Sequence, residues 1–145
     1  MHFFLAKKQK AELLSRIGKH TAALREINDL ISKNSSDSEL LRSRSLIYLN
    51  TKDYTNALID SDLSILANPL NYLSYRTRAE IYEANNDIDS SIHDERIFAQ
   101  LTKNHQAAEN ELNRLISSQF NDQESSSNTY IINSNRPTIS GFCQK

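Results

Sequence analysis

The chain has 145 residues, of which 17 are basic and 18 acidic, so its net charge is -1. It holds only two glycines and two prolines, where average usage would give roughly 10 and about 7. An all-β fold and glycine-rich nucleotide-binding loops are therefore excluded, because both need glycine at defined positions. The near-neutral charge provides no attraction to nucleic acid or to an anionic membrane, and we expect neither as a partner.

The cysteine content and the hydropathy of the chain indicate its compartment. Cys143 is the single cysteine, so an internal disulfide cannot form and a reducing compartment is favoured. No apolar run is long enough to span a membrane, and the apolar patch at residues 3–6 is too short for a signal-peptide core. These features predict a cytoplasmic protein, with the nucleus as the alternative.

Helical periodicity dominates the chain up to residue 116. Apolar residues recur there at three- and four-residue steps, which predicts a series of α-helices. Clusters of turn-forming residues separate them, alternately short and long, at residues 18–20, 33–37, 50–53, 68–71 and 85–87. The alternation predicts helical hairpins joined in sequence.

An internal repeat decides the organisation of these hairpins. A similar four-residue segment recurs at a constant interval, beginning at Thr21, Thr55 and Asp89. Small residues follow the same interval, at Ala11, Ser45 and Ala79. A small residue is needed where two helices cross closely. The period divides the chain into three repeats of equal length, residues 4–37, 38–71 and 72–105.

The middle repeat resembles a tetratricopeptide repeat throughout its length. Its matching residues are Leu41, Ser45, Tyr48, Ala57 and Pro69. The third repeat departs from the pattern at Ser91 and Lys103, and the first departs at Lys7 and Ser35. The resemblance covers residues 4–116 and implies an all-α solenoid of three helical hairpins.

The chain beyond the third repeat is predicted in two parts. Residues 106–116 place apolar side chains on one face and are expected to form a helix that caps the array. Residues 117–145 are rich in serine, asparagine and glutamine without a sustained period, so we predict a mostly disordered tail. An alternative is that residues 129–132 dock on the array or on a partner.

Catalytic and metal-binding motifs are missing from the sequence. The four histidines and Cys143 show no metal-ligand spacing, and the serines have no nucleophile motif around them. Acidic pairs at Asp60 and Asp62 and at Asp94 and Glu95 are predicted to lie on solvated helix surfaces. We therefore expect a protein that is not an enzyme and that holds neither a metal nor a cofactor.

Basic residues recur at two positions of each repeat. The fifth position holds Lys8, Arg42 and Arg76, and the seventh holds Lys10, Arg44 and Arg78. Residues two apart on a helix point about 200° apart, so only one set can face a groove. The resemblance implies a concave groove lined by the first helices, and it favours the first set. That set would suit an acidic peptide or a terminal carboxylate. Alternatively, its members are solvated, or nearby glutamates such as Glu12 neutralise them.

Co-chaperones that resemble this chain hold acidic chaperone tails with a carboxylate clamp of lysine, asparagine and arginine residues. Carried over by position, only Lys8 matches that clamp. The other four positions hold Glu12, Ser43, Leu73 and Thr77. Because Glu12 would repel a terminal carboxylate at close range, the clamp is predicted to be absent, although Arg76 beside Thr77 could substitute in part.

The sequence thus predicts a non-catalytic adaptor that binds another protein in the concave groove. The predicted peptide-binding residues are Lys8, Glu12, Arg42, Ser43, Leu73, Arg76 and Thr77. Two alternatives remain: a structural subunit of a larger assembly, and a divergent chaperone cofactor whose partner is a heat-shock chaperone. RNA binding along the basic residues is disfavoured, because the chain as a whole is mildly acidic.

Overall fold

The structure is a computed structural model that describes the backbone of residues 2–135 and the side chains of residues 2–107, 109–110 and 112–117. This part of the chain is helical and contains no β-strand. Its helices are α1 (His2–Arg16), α2 (His20–Lys33), α3 (Ser38–Asn50), α4 (Tyr54–Ala67), α5 (Tyr72–Ala84) and α6 (Ile88–Asn135). Of the described residues, 2–102 belong to one compact unit and 103–135 to a second.

The helix boundaries follow the period of the sequence. The second helices of the hairpins begin at His20, Tyr54 and Ile88, which are separated by one full repeat each. The first helices of the second and third hairpins begin at Ser38 and Tyr72, which are the first residues of their repeats. The prediction of an all-α solenoid built from helical hairpins is confirmed.

The turn inside each hairpin has the same backbone conformation. Gly18, Lys52 and Asn86 all have positive φ angles, of 83°, 61° and 62°. In each case the backbone N–H of the next residue donates to a carbonyl five residues before it, at Leu14, Tyr48 and Tyr82. This pattern satisfies carbonyls that the end of a helix leaves free. Only the first turn uses glycine, the residue that adopts a positive φ at the lowest cost.

Small side chains allow the two helices of each hairpin to pack closely. Ala11, Ser45 and Ala79 are at most 1% exposed, and so are Ala23 and Ala57 on the second helices. The hydroxyl of Ser45 donates to the Arg42 carbonyl at 2.7 Å, so burial leaves no free polar group there. Larger residues at these positions would force the helices apart.

Helix α6 is longer than the sequence predicts. Residues 106–116 lie within it and do not form a separate helix, and the helix continues over residues 117–135, where the sequence predicts a mostly disordered tail. The physical reason is that no glycine or proline occurs between Pro69 and Pro137, so nothing breaks the helical backbone earlier. Capping of the array by residues 106–116 stays a prediction, and the part of the tail at 136–145 lies outside the described residues.

Candidate protein-binding groove

The predicted peptide-binding residues lie on the first helices of the three hairpins. Helix α1 bears Lys8 and Glu12, α3 bears Arg42 and Ser43, and α5 bears Leu73, Arg76 and Thr77. These helices neighbour one another, because α3 packs against both α1 and α5. The seven residues therefore lie on three neighbouring helices, where Ser43 and Thr77 are buried.

A pocket of about 280 Å³ lies between α1 and α3, and we call it the α1–α3 pocket. It is lined by Glu12, Ser15, Arg16, Arg42, Ser43, Leu46, Ile47 and Asn50. Three of these residues are in the predicted set. Steps of three and four residues from Glu12 and Ser43 lead along the same helix faces to the five lining residues that the sequence analysis missed, Ser15, Arg16, Leu46, Ile47 and Asn50.

Two of the positions equivalent to a carboxylate clamp, Lys8 and Ser43, already bind carboxylates of this chain. The Ser43 hydroxyl donates to Glu12 Oε1 at 2.7 Å. The same Glu12 oxygen lies 3.6 Å from Lys8 Nζ, which also lies 3.4 Å from a carboxylate oxygen of Glu39. Lys8 therefore faces two carboxylates of this chain before any ligand binds.

Glu39 connects the neighbouring repeats through its carboxylate. It accepts hydrogen bonds from the Arg42 guanidinium at 2.9 and 3.3 Å and from the Asn71 side chain at 2.7 Å. Burial acts to raise the pKa of Glu39, but the hydrogen bonds from Arg42 and Asn71 and the charges of Arg42 and Lys8 outweigh it and lower the pKa to about 2. The sequence analysis did not identify Glu39. Its position one helical turn before Arg42 is the spacing of an ion pair on a helix and could have indicated it.

The basic residues of the fifth position consequently differ in accessibility. The side chains of Lys8 and Arg42 are each 16% exposed, whereas that of Arg76 is 50% exposed. Arg76 lies 3.6 Å from Glu80 and places its guanidinium 5.1 Å from the centre of the Phe98 ring. Leu73 is exposed beside it, while Thr77 is buried at 3%.

The basic residues of the seventh position join the two helices of each hairpin. Lys10, Arg44 and Arg78 pair with Glu26, Asp60 and Asp94 at 2.6–2.7 Å. The two partners of each pair have the same separation along the chain, and the two arginines bind their carboxylates with two nitrogens each.

The prediction that Asp60 and Asp94 lie on solvated surfaces is wrong, since they are 2% and 1% exposed. They face the first helix of their own hairpin, where a paired arginine compensates for the loss of water. The sequence already contained a signal for these ion pairs. Each acidic residue follows its basic partner at the same distance along the chain, and the pairs recur once per repeat.

Two negative findings apply to the described part of the chain. Among its residues, no group of histidine, cysteine, aspartate and glutamate side chains is arranged to hold a metal ion. None of its helices combines the length and the apolar character that crossing a membrane requires.

Comparison with solved structures identifies the architecture. The first TPR domain of human RPAP3 is 24% identical, with a TM-score of 0.65, and the match covers 86% of this chain and 98% of that one. The first TPR of Spaghetti (RPAP3), bound to the HSP90 peptide SRMEEVD, is 21% identical, with a TM-score of 0.63 over 79% of this chain and 91% of that one. The chain has the tetratricopeptide-repeat fold. The tetratricopeptide resemblance inferred from Leu41, Ser45, Tyr48, Ala57 and Pro69 is thereby confirmed.

Two sequence relatives of this chain are subunits of a membrane protein complex. The ER membrane protein complex subunit 2-A of Xenopus laevis is 28% identical over 98 residues, which is 68% of this chain and 33% of the relative. Subunit 2 of the same complex in Xenopus tropicalis matches to the same extent. The chain thus spans about a third of the length of these relatives. No protein-family model matches it.

Proposed function

We propose that the chain is a non-catalytic adaptor that holds a segment of a partner protein against its first helices at the α1–α3 pocket. The pocket supports this proposal, because it lies where two repeats meet and combines apolar Leu46 and Ile47 with charged Arg16. Its volume of about 280 Å³ is at the lower limit of small-molecule sites, which are ~300–1,000 Å³. A single side chain of an extended segment fits such a space better.

The charges around the pocket indicate which segment it would accept. Lys8 and Arg42 already bind Glu39, so an acidic ligand would have to displace a carboxylate whose pKa is about 2. Arg16 makes no ion pair with another described side chain and is exposed at the pocket. We therefore propose an apolar side chain bound near Leu46, followed by an acidic or polar group that reaches Arg16.

Affinity capture with the intact chain tests the proposal. Leu46→Arg fills the pocket with a charge, and Leu66→Arg is the matched control, since Leu66 lies on α4 and is 77% exposed. We expect proteins captured by the wild type to be retained by Leu66→Arg and lost by Leu46→Arg, with thermal melts showing both variants folded. Identical capture by all three proteins would refute groove binding.

A second candidate is a chaperone cofactor, because two of the similar structures hold the HSP90 peptide SRMEEVD. The clamp positions in this chain, at Glu12, Ser43, Leu73 and Thr77, do not supply the cations and amides that the resemblance implies. We expect SRMEEVD to bind the wild type weakly at most and to bind Glu12→Asn more tightly. Tight binding to the wild type in a calorimetric titration would favour the cofactor.

A third candidate is a subunit of a larger assembly, which the similarity to subunit 2 of the ER membrane protein complex supports. Cell fractionation followed by size-exclusion chromatography distinguishes it from the adaptor. A subunit would sediment with ER membranes and elute in a large complex. An adaptor would remain in the cytosolic fraction, as the sequence predicts, and would elute near its own mass.

A further inference from the structure

One apolar position of the repeat is exposed in the first hairpin and buried in the other two. Leu13 is 53% exposed, whereas Ile47 and Ile81, at the same position of the second and third repeats, are 1% and 0% exposed. Ile47 is buried because the preceding hairpin covers it, through a core that includes Ile27 and Leu30. Leu13 therefore occupies a position that a helical hairpin covers elsewhere in this chain.

The exposed position belongs to an apolar stripe on α1 that Lys10 interrupts. Phe3, Ala6, Leu13 and Ile17 follow one another at spacings of three, seven and four residues, which place them on one side of the helix. All four are exposed, Phe3 by 73% and Ile17 by 58%. Stripes of this kind are buried in helix pairs, and here no described helix lies over it.

A polar contact that repeats along the array is also incomplete at this end. Arg44 binds Asp60 of its own hairpin and Asn28 of the preceding one, the latter at 2.9 Å. Arg78 likewise binds Asp94 of its own hairpin and Asp62 of the preceding one, the latter at 2.8 Å.

Lys10 holds the same position in the first hairpin. It binds only Glu26 of its own hairpin among the described residues, and its side chain is 59% exposed, against 22% and 19% for the two arginines. Helix α1 thus carries both the apolar and the polar residues of a junction between hairpins, and no described hairpin binds them.

The chain's own third hairpin does not have the chemistry to complete the junction. At the positions of Ile27 and Asn28, which cover α3, the third repeat has Glu95 and Arg96. Arg96 would face Lys10 with the same charge, and Glu95 would face the apolar stripe. Head-to-tail binding of a second copy is therefore disfavoured.

We infer that the outer face of α1, formed by Phe3, Ala6, Lys10, Leu13 and Ile17, docks a helical hairpin of a partner protein. The second helix of that hairpin presents small or apolar residues to Leu13 and an aspartate or asparagine to Lys10. This site is distinct from the α1–α3 pocket, so its test is independent of the test of groove binding.

The probe is a synthetic hairpin with the sequence of residues 38–71, which in the native chain covers Ile81 and carries Asp62 toward Arg78. An engineered disulfide joins the two helices of the probe. The substitutions Leu40→Gln and Ile47→Gln make the outer face of the probe polar. Circular dichroism verifies that the probe is helical before use. The labelled hairpin is titrated into the full-length chain by fluorescence anisotropy, with Leu66→Glu as the control for an exposed leucine elsewhere.

We expect saturable binding to the wild type and to Leu66→Glu, and at least about tenfold weaker binding to Leu13→Glu or Ile17→Glu, since each buries a charge in the junction. Lys10→Glu should also weaken binding, and a probe bearing Asp62→Lys should restore it. Thermal melts check that each variant is folded, which the exposure of these side chains favours.

Several results would overturn the inference. Binding that is absent in the wild type, or reduced equally by Leu13→Glu and Leu66→Glu, would show that the α1 face is not a hairpin site. Self-association of the wild type in sedimentation equilibrium that Leu13→Glu abolishes would assign the face to a second copy instead. Failure of the charge exchange at Lys10 would contradict the inferred contact between Lys10 and an aspartate or asparagine of the partner.

Discussion

The junction between the first and second hairpins and the junction between the second and third use equivalent positions with different chemistry. In the first junction Ile27 and Leu30 of α2 pack against Leu40 of α3. In the second junction the equivalent residues, one repeat later, are Ser61, Ser64 and Ser74. All six side chains are at most 2% exposed.

The serine junction stays stable because its hydroxyl groups bind one another and the backbone. Ser64 donates to the Ser38 carbonyl at 2.7 Å and lies 2.7 Å from the Ser74 hydroxyl. Asn71 donates to Ser38 at 3.0 Å, which closes the network. No described buried side-chain nitrogen or oxygen is left without a partner. At these three equivalent positions, one backbone geometry therefore accepts either large apolar side chains or a complete network of serine hydrogen bonds.

The largest expected effect comes from placing a serine in the apolar junction. Leu30→Ser copies the residue found at Ser64, but its neighbours at the positions of Ser38 and Ser74 are Phe4 and Leu40. The hydroxyl would find no side-chain partner and a cavity would remain, so we expect a loss of about 3–5 kcal/mol in the free energy of unfolding. Urea denaturation followed by circular dichroism measures it. A loss below ~1 kcal/mol would show that the junction tolerates both chemistries.

The next effect concerns the ion pair beside the serine junction. Asp94→Ala leaves the Arg78 guanidinium with Asp62 as its remaining carboxylate, and we expect a loss of about 3 kcal/mol. Glu26→Ala removes the more exposed pair with Lys10 in the first hairpin and should cost clearly less stability than Asp94→Ala. The comparison of the two melting curves tests whether burial of the carboxylate makes the difference. Equal losses would contradict it.

A smaller effect is expected from deleting one hydroxyl of the serine network. Ser64→Ala leaves the Ser74 hydroxyl and the Ser38 carbonyl short of a partner and should cost about 1–2 kcal/mol. Ser61→Ala is the matched control, because the Ser61 hydroxyl donates to the Leu58 carbonyl of its own helix at 2.9 Å. We expect the control to cost clearly less in the same urea titration. The reverse order would mean that the network contributes little.

The smallest effect tests the carboxylate that joins both junctions. The pKa of Glu39 is lowered from 4.5 to about 2, so its contribution to stability is complete above pH about 4.5 and is lost as the pH falls toward about 2. Because the side chain is 40% exposed, screening limits that contribution to about 1 kcal/mol. In Glu39→Gln we expect a smaller loss of stability across this pH window than in the wild type. Parallel curves for the two proteins would rule out Glu39 as the cause.

Local patterns in the sequence were enough to determine the helices and their grouping. The constant repeat length predicted the hairpins that begin their second helices at His20, Tyr54 and Ile88, because turn residues and helical periodicity act over only a few neighbours. The small residues Ala11 and Ala79 were identified for the same reason. The end of α6 was missed, since polar composition alone does not stop a helix that contains no glycine or proline.

The tertiary structure alone decided which polar side chains meet and which apolar ones stay exposed. Lys8 and Arg42 follow the sequence pattern of a ligand-binding set, yet Glu39 neutralises both across the boundary between repeats. Leu13 and Ile47 occupy the same position of the repeat, yet only Ile47 is buried. The period of the sequence specifies where a residue lies on its helix, but burial and charge pairing depend on the neighbouring hairpin, which differs at each position along the array.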